Sequence, residues 1–433
     1  MVNRMDTTLL LPDLANQYAT ASHSVSLRLL AYALQSFPLA EPFAPSPNRS
    51  ETENLNILRL WADMLVARGE NGAAASTWKQ VAVWCHHLDD LQGATYALVQ
   101  AHALLLPQIP PAEASDTAAQ LIKFLTRVPD SLEKSESMIV LATSLLELGD
   151  LRAAQILRDE AAGSTAQIRL DSALLQAKIF LAQGHREQAQ FFLDDLECNP
   201  GIFSDVQGAR MTIGMFRLSL DQDSGNLTAA LERVKTLSQQ AKSEGLLLQQ
   251  ALLSATRTEL SAEMHLDQEV IVHGIETLQL FDQLNLGETR RIGVKAILAR
   301  SLARMGRANK GIEYAEEVSA WAQSHENLEL EQEFTVIAAD LAARDLQGIR
   351  AAGLYGCAAD LYSEQPLLRA RYLRKCAVQL VYSAGSDRET TIRWALSLLR
   401  EAGDLLHSME RNGEVAAELS AWEFDRLWIR TRK

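Results

Sequence analysis

The chain has 433 residues, of which 47% are hydrophobic, and a formal net charge of −14. This acidic balance is unfavourable for neutralising phosphates, so we expect no nucleic-acid partner and no contact with anionic membranes. No apolar stretch is long enough to span a bilayer or to form the core of a signal peptide, so we expect a cytoplasmic protein.

Two helical patterns, at about 8–20 and 24–36, form the first predicted elements, in an N-terminal helical segment that we assign to residues 1–36. Proline removes a backbone donor and disfavours helix in the residue before it. The next stretch, 37–52, is therefore predicted to be a proline-rich loop or linker, because it contains Pro38, Pro42, Pro45 and Pro47.

From residue 53 to residue 412, a turn signal returns about every 40 residues. An apolar helical pattern is followed by a turn such as Gly149-Asp150 and then by an alanine such as Ala154. A period of this length is typical of repeat arrays, in which each unit buries its apolar face against its neighbours. The turns fall near positions 69, 109, 149, 184, 225, 265, 306, 346 and 385, of which 109, 265 and 346 are inferred from spacing. The sequence therefore predicts an all-α fold of about nine antiparallel helical hairpins.

The last segment, 413–433, is predicted to be a capping helix. It carries Trp422, Phe424, Leu427 and Trp428, which we expect on one face, with charges between them. A packed cap is the simpler interpretation, because the end of a repeat array must cover its last apolar face. The alternative is a docking or self-association surface, so a homo-oligomer is compatible with the sequence.

No pattern in the chain predicts catalysis, a cofactor or a metal site. The tripeptide Cys85-His86-His87 is the strongest metal candidate, but neighbouring residues on a helix point about 100° apart and cannot converge on one ion. Phosphate-binding and nucleophile motifs are absent, and paired carboxylates fit solvated helix ends. We therefore expect a protein that is not an enzyme.

Four segments carry a family resemblance. The pattern Leu141-Ala142-x-x-Leu145-x-x-x-Gly149, with Ala154 following, resembles the tetratricopeptide repeat (TPR), and similar matches start at Trp61, Ala177 and Leu298. The spacing differs, since the standard unit has 34 residues and this one has about 40. It is similar to the long repeats in sensor domains of maltose-activator-type bacterial regulators and in kinesin light chains. The resemblance implies a right-handed superhelical solenoid whose concave groove binds a peptide or protein.

The resemblance also implies which residues face that groove. One inner column would contain Asp63, Thr143, Lys178, Ser219, Glu259, Arg300, Asp340 and Gln379. A parallel column would contain Ala67, Glu147, Ala182, Asp223, Glu263, Arg304, Arg344 and Ser383. With the basic stretch 290–310 added, the candidate partner-binding residues are Lys178, Glu259, Lys295, Arg300, Arg304, Asp340, Arg344 and Gln379.

The basic stretch 290–310 admits two interpretations. It could receive an acidic peptide or a carboxylate. It could instead form a ladder within the chain, in which Glu259 pairs with Arg300 and Glu263 with Arg304, each exposed pair contributing about 0–1 kcal/mol.

The resemblance favours a non-catalytic scaffold or adaptor that binds a peptide or protein in the groove. The alternative is a sensor that responds to a peptide or small molecule and works with a separate output partner. Thermal-shift screening would separate the two, because a specific ligand raises the melting temperature by mass action.

Overall fold

The computed structural model describes residues 7–21, 23–37, 46, 48–161, 165–198, 206–385, 387–410 and 412–432. Within these ranges the regular structure consists of 21 α-helices and one short 3-10 helix, Leu106–Gln108. The prediction of an all-α fold is confirmed. The first eleven helices are α1 Thr7–Thr20, α2 His23–Ser36, α3 Glu51–Arg68, α4 Asn71–His87, α5 Leu91–Leu105, α6 Pro111–Leu125, α7 Leu132–Glu147, α8 Leu151–Ala161, α9 Ala166–Ala182, α10 Arg186–Cys198 and α11 Val206–Asp223. The remaining ten are α12 Leu227–Ser243, α13 Leu247–Glu263, α14 Asp267–Gln283, α15 Glu288–Arg304, α16 Ala308–Ser324, α17 Leu328–Arg344, α18 Gly348–Leu361, α19 Pro366–Tyr382, α20 Arg388–His407 and α21 Gly413–Arg430.

Helices α3 to α20 pair along the chain as nine antiparallel hairpins, so the expected number is confirmed for the described residues. We call the odd-numbered helix of each pair its first helix and the even-numbered helix its second. The six helices from α12 to α17 each have 17 residues. Two such helices and two short turns account for the 40-residue period.

A residue with positive φ ends the first helix at most of the predicted turns. At Gly69 (φ +83°) the amide donates to the Val66 carbonyl, and the next amide reaches back to the Leu65 carbonyl. This pair of bonds satisfies carbonyls that the helix end leaves free, and glycine adopts the conformation without steric cost. His265 (φ +56°) and Leu346 (φ +59°) adopt it as well, so the two turns inferred there without a glycine are confirmed.

The proline-rich turn inferred near position 109 is built differently. The chain passes through the short 3-10 helix, and Ile109 and Pro110 are extended before α6 begins at Pro111. Proline suits the first turn of a helix, because the amide it lacks would have no partner there. Of the predicted loop 37–52, residues 38–45 and 47 lie outside the described residues, and Ser50 caps α3 by accepting from the Glu53 amide.

The chain forms two compact units, and the boundaries between them pass through α13, α14 and α15. Unit 1 contains residues 1–257 and 277–290, and unit 2 contains residues 258–276 and 291–433. Over the described residues, no helix has both the length and the apolar character that crossing a membrane requires.

Unit 1 brings its N-terminal helices against the segment that follows α14. The Asn285 side-chain amide donates to the Leu34 carbonyl at 3.0 Å, and the Arg290 guanidinium donates to the Val66 carbonyl at 3.3 Å. At Gly287 an added Cβ would lie 2.4 Å from the Arg68 carbonyl oxygen, so this close approach requires glycine. Residues more than 200 positions apart in the chain are therefore joined within this unit.

Unit 2 ends with α21 packed against α19 and α20. The Trp422 indole is buried and donates to the Leu399 carbonyl at 2.6 Å, and Ile429 is fully buried. Phe424 and Leu427 are 69% and 64% exposed. The expectation that all four large apolar residues share one face is therefore wrong, because residues two apart on a helix point about 200° apart.

Candidate functional site

A cavity of about 470 Å³ in unit 1 is lined only by first helices, from four successive hairpins. One helix face in each hairpin contributes: α5, α7, α9 and α11. The lining residues are Ala103, Ile139, Val140, Thr143, Ser144, Glu147, Asp171, Leu174, Leu175, Lys178, Thr212 and Phe216. We call this site the unit 1 groove. It contains Thr143, Glu147 and Lys178, all predicted inner-face residues.

Helix spacing explains why these side chains share a face. On α7, Val140, Thr143 and Glu147 are three and four residues apart, which places them on one side of a helix. Lys178 on α9 follows Asp171 by seven residues, or two turns. The Thr143 hydroxyl donates to the Ile139 carbonyl at 3.0 Å and so does not compete for a ligand as a donor.

Two carboxylates, one beside the groove and one in its lining, form no ion pair among the described residues. Glu136 lies one turn before Val140 on α7, and among the described residues no hydrogen bond or ion pair reaches its carboxylate. Burial, with Glu133 and Asp171 adding like-charge repulsion, raises the pKa of Glu136 to about 7. Glu147 has no ion-pair partner among the described residues either, and Lys178 lies 6.0 Å from the Phe216 ring centroid.

A second polar cluster of unit 1 lies on α1, α3, α5 and α7. The Tyr18 hydroxyl donates to the Asp63 carboxylate at 2.9 Å, and burial raises the pKa of Asp63 to about 6. Arg59 lies 3.2 Å from Glu133. Burial and the charges of Glu136 and Asp63 also raise the pKa of Tyr96. Taken together, the cluster and the unit 1 groove therefore contain more carboxylates than cations.

Seven of the eight candidate residues lie in unit 2, and several are engaged within the chain. Arg300 forms a bidentate pair with Glu333, both contacts at 2.7 Å, and its guanidinium lies 4.9 Å from the Phe334 ring. Arg304 binds Asp267 at 2.5 Å, and Lys295 pairs with Glu317. The carboxylates that bind Arg300 and Arg304 are thus Glu333 and Asp267, where the ladder interpretation named Glu259 and Glu263. Charge pairing within the chain is nonetheless what the structure shows for these three cations.

The other candidate residues of unit 2 occupy separate places. Asp340 accepts from the Tyr355 hydroxyl at 2.5 Å and from Lys375 at 2.8 Å. Arg344 donates to the Ala303 carbonyl at 3.1 Å. Gln379 lines another cavity of unit 2, beside the exposed side chains Leu346, Ile349 and Tyr382. Glu259 is exposed on α13.

Sequence reasoning missed Asp171, Phe216 and Glu136. Asp171 and Glu136 lie about two turns before the predicted residues Lys178 and Thr143, so a third inner column seven residues upstream would have found them. No sequence pattern marked Phe216 as a groove residue, because an aromatic residue in an apolar helix pattern is normally interpreted as part of the core.

The Cys85-His86-His87 tripeptide does not form a site. Cys85 is buried, and burial raises the pKa of its thiol to about 11, whereas His86 and His87 are exposed at the end of α4. In the part of the chain that the structure describes, no three His, Cys, Asp or Glu side chains are grouped closely enough to hold a metal ion.

Comparison with known proteins finds no matching family model and no matching curated protein. Among solved structures, the chain is similar to a Pyrococcus horikoshii signal-transduction ATPase with numerous domains that has a tetratricopeptide repeat sensor. The identity is 11%, with 94% of this chain and 67% of that chain covered, at a TM-score of 0.47. A Rap protein complexed with competence and sporulation factor is similar at 11% identity, 79% and 96% coverage, and a TM-score of 0.37. A human IFIT1 dimer with m7Gppp-AAAA is similar at 14% identity, 91% and 95% coverage, and a TM-score of 0.39.

The hairpins described above are the repeating unit that the tetratricopeptide-repeat resemblance implied. The expectation that nucleic acid is excluded as a partner is wrong. Human IFIT1 structures with m7Gppp-AAAA and with PPP-AAAA are among the similar structures, at TM-scores of 0.39 and 0.36. The physical reason is that net charge sums over the whole surface, whereas binding depends on the local field. A net charge of −14 therefore does not exclude this class of partner.

Proposed function

We propose that the chain is a cytoplasmic, non-catalytic interaction protein that binds a peptide segment of a partner in the unit 1 groove. The observation that carries the proposal is that first helices of four successive hairpins line one cavity of about 470 Å³. This volume lies within the range of ligand pockets, about 300–1,000 Å³. Its lining combines partly exposed apolar surface with polar side chains, the combination that orients a bound segment while burying its apolar side chains.

The lining provides polar and apolar side chains that complement a peptide. Glu147 and Lys178 provide an acceptor and a donor that are free of ion pairs among the described residues, and Val140 and Phe216 provide apolar contact. A peptide carries backbone donors and acceptors at regular intervals, together with side chains for apolar pockets. Both kinds of group therefore have a complement in the groove.

Site-specific photocrosslinking tests this proposal. Thr143→benzoylphenylalanine places the reactive group in the groove, and Ile156→benzoylphenylalanine places it on the exposed face of the second helix α8. In native cells we expect discrete crosslinked protein adducts from the Thr143 position only. Adducts from both positions alike, or from neither, would contradict a groove-binding function.

A ligand-responsive sensor is the second candidate, and it uses the same cavity. Because the lining comes from four hairpins, an occupant would contact all four and could change how they pack. Thermal-shift screening with metabolites and short peptides separates the two. A sensor gains melting temperature with one specific small ligand, whereas an adaptor responds only to a segment of its protein partner.

A further inference from the structure

We propose that the occupant of the unit 1 groove is a basic peptide segment that carries one large apolar anchor side chain. This inference rests on the proposed function and specifies the chemistry of the partner. Its basis is the charge and the apolar surface of the groove.

The charge of the groove and its rim is unbalanced. Glu136 beside the cavity and Glu147 in its lining contribute two carboxylates that no ion pair reaches among the described residues, and Lys178 is the cation in the lining. Lys178 is directed over the Phe216 ring, and no ion pair joins it to a carboxylate among the described residues. Lysine or arginine side chains of a ligand would supply the missing positive charge.

Partial burial weakens the screening of the Glu136 charge. Glu136 is mostly enclosed, and its closest charged neighbours Glu133 and Asp171 are also acidic. Arg59 lies near enough to lower the pKa of Glu136, but burial and repulsion outweigh it, and Arg59 is already in contact with Glu133. A ligand ammonium placed beside Glu136 would therefore gain more than at an exposed carboxylate, because the local screening is weaker.

The apolar part of the groove argues for an anchor as well as for charge. Val140 and Phe216 are half-buried, and Leu174 is a buried residue of the same lining. A purely polar basic segment would leave this surface without a contact. A single Leu-sized or aromatic side chain that covers it is the usual way in which a peptide is held in a groove of stacked helices.

The experiment uses three fluorescein-labelled peptides of 12 residues. All three have leucine at the same positions, and the remaining positions are all lysine, all serine or all glutamate. Binding to the full chain is measured by fluorescence anisotropy. We expect the lysine–leucine peptide to bind at least about 10-fold more tightly than the serine–leucine peptide, and the glutamate–leucine peptide to bind most weakly.

Two matched double variants locate the binding. Glu136→Gln/Glu147→Gln removes one carboxylate beside the groove and one in its lining, and Glu160→Gln/Glu187→Gln removes two exposed carboxylates from the second helices α8 and α10. Both remove two carboxyl groups from the chain. We expect the groove variant to lose about 10-fold or more in affinity for the lysine–leucine peptide and the control to stay within about 2-fold. Circular dichroism verifies that both variants remain folded.

Each other outcome overturns the inference. Equal losses in the two variants would mean that the peptide responds only to overall charge. Tight, groove-dependent binding of the serine–leucine or glutamate–leucine peptide would refute a basic occupant while leaving the proposed function intact. If no probe binds, the inference is refuted, and crosslinking at Thr143 then decides independently whether the groove binds a partner at all.

Discussion

The inner helix faces of the two units differ in whether their charged side chains form ion pairs. In unit 2, Arg300 is matched by Glu333, Arg304 by Asp267 and Lys375 by Asp340. In unit 1, Glu136 and Glu147 form no ion pair among the described residues, and burial and acidic neighbours raise the pKa of Glu136. The same repeated architecture thus carries a neutralised face in one unit and an acidic face in the other.

Under the proposed function, unit 1 binds a partner and the charge pairs of unit 2 stabilise that unit. Paired charges hold neighbouring helices in register, and a partly buried pair costs more to break than to keep. A half-buried carboxylate without a cation lowers stability, and natural proteins keep such groups mainly at functional sites. The predictions below test this contrast, from the largest expected effect to the smallest.

The largest effect is expected at the ion cluster that joins α21 to α19. Glu418, 9% exposed, accepts from Arg371 at 2.6 Å and from Arg374 at 3.3 Å, and Arg374 also binds Asp425 at 2.5 Å. Glu418→Ala leaves two guanidiniums short of a carboxylate, so we expect a loss of about 2–4 kcal/mol in local stability of α21. Native-state hydrogen exchange of α21 peptides measures it.

Glu423→Ala is the matched control, because Glu423 is exposed on the same helix and forms no ion pair among the described residues. We expect that change to stay within about 0.5 kcal/mol. If Glu418→Ala is equally mild, the charge pairs of unit 2 do not stabilise it and the contrast between the units fails.

The pH dependence of unit 1 gives the next effect. Glu136 has a pKa of about 7 in the folded chain, raised by burial, Glu133 and Asp171 against the attraction of Arg59 on α3. An unfolded glutamate has a pKa of about 4.3. Stability from the protonated form is therefore complete below about pH 4 and is lost as the pH rises towards 7.

Glu136→Gln keeps the neutral form at every pH. We expect the variant and the wild type to be similar at pH 4.5, and the variant to be more stable at pH 8 by about 1–2 kcal/mol. Hydrogen exchange of α7 at both pH values measures the difference, with Glu160→Gln, at an exposed position on α8, as the control. A variant that is less stable at pH 8 would show that Glu136 has a stabilising partner.

Much of the fold could be predicted from the sequence because glycine marks half of its turns. Gly149, Gly184, Gly225 and Gly306 adopt positive φ at the positions expected. The turns between hairpins were harder to find, because residues such as Asn285 and Glu326 hold the same conformation without a glycine signal. The positive-φ conformation has a steric cost for non-glycine residues, which contacts of the flanking helices offset. No local sequence pattern reveals these contacts.

The site was predicted only in part, for a geometric reason. The repeat register placed Thr143, Glu147 and Lys178 on one inner face, and the structure brings them to one groove. The partner of Arg300 was not predictable in this way. Register identifies which faces meet, but the crossing angle of successive first helices determines whether Glu259 or Glu333 reaches the guanidinium, and that angle depends on core packing.

Two inner-face lysines give a direct comparison of the units. Lys375 binds Asp340 at 2.8 Å and lies 5.1 Å from the Tyr355 ring, whereas Lys178 forms no ion pair among the described residues and lies 6.0 Å from the Phe216 ring. We expect Lys375→Met to destabilise unit 2 by about 1 kcal/mol and Lys178→Met to change unit 1 by less than about 0.5 kcal/mol.

Hydrogen exchange of α19 and α9, respectively, measures these two changes. Methionine keeps most of the length and apolar contact of lysine, so lost packing contributes little to either result. Equal effects in the two units would show that Lys178 has an ionic role in the free protein, and the acidic face of unit 1 would then be neutralised like that of unit 2.

The smallest effect is expected where the charge pairs of unit 2 are most exposed. The side chains of Arg300 and Glu333 are 40% and 41% exposed, so their bidentate pair is screened by water. We expect Arg300→Gln to cost less than about 1 kcal/mol and expect most of that cost to disappear in 1 M NaCl, where the Debye length is about 3 Å. Because the pair is this weak, an acidic ligand could replace Glu333 at little cost. The assignment of peptide binding to unit 1 therefore depends on comparing variants of the two units. Arg300→Gln should leave binding of the lysine–leucine peptide unchanged, and a loss of that binding would move the site out of the unit 1 groove.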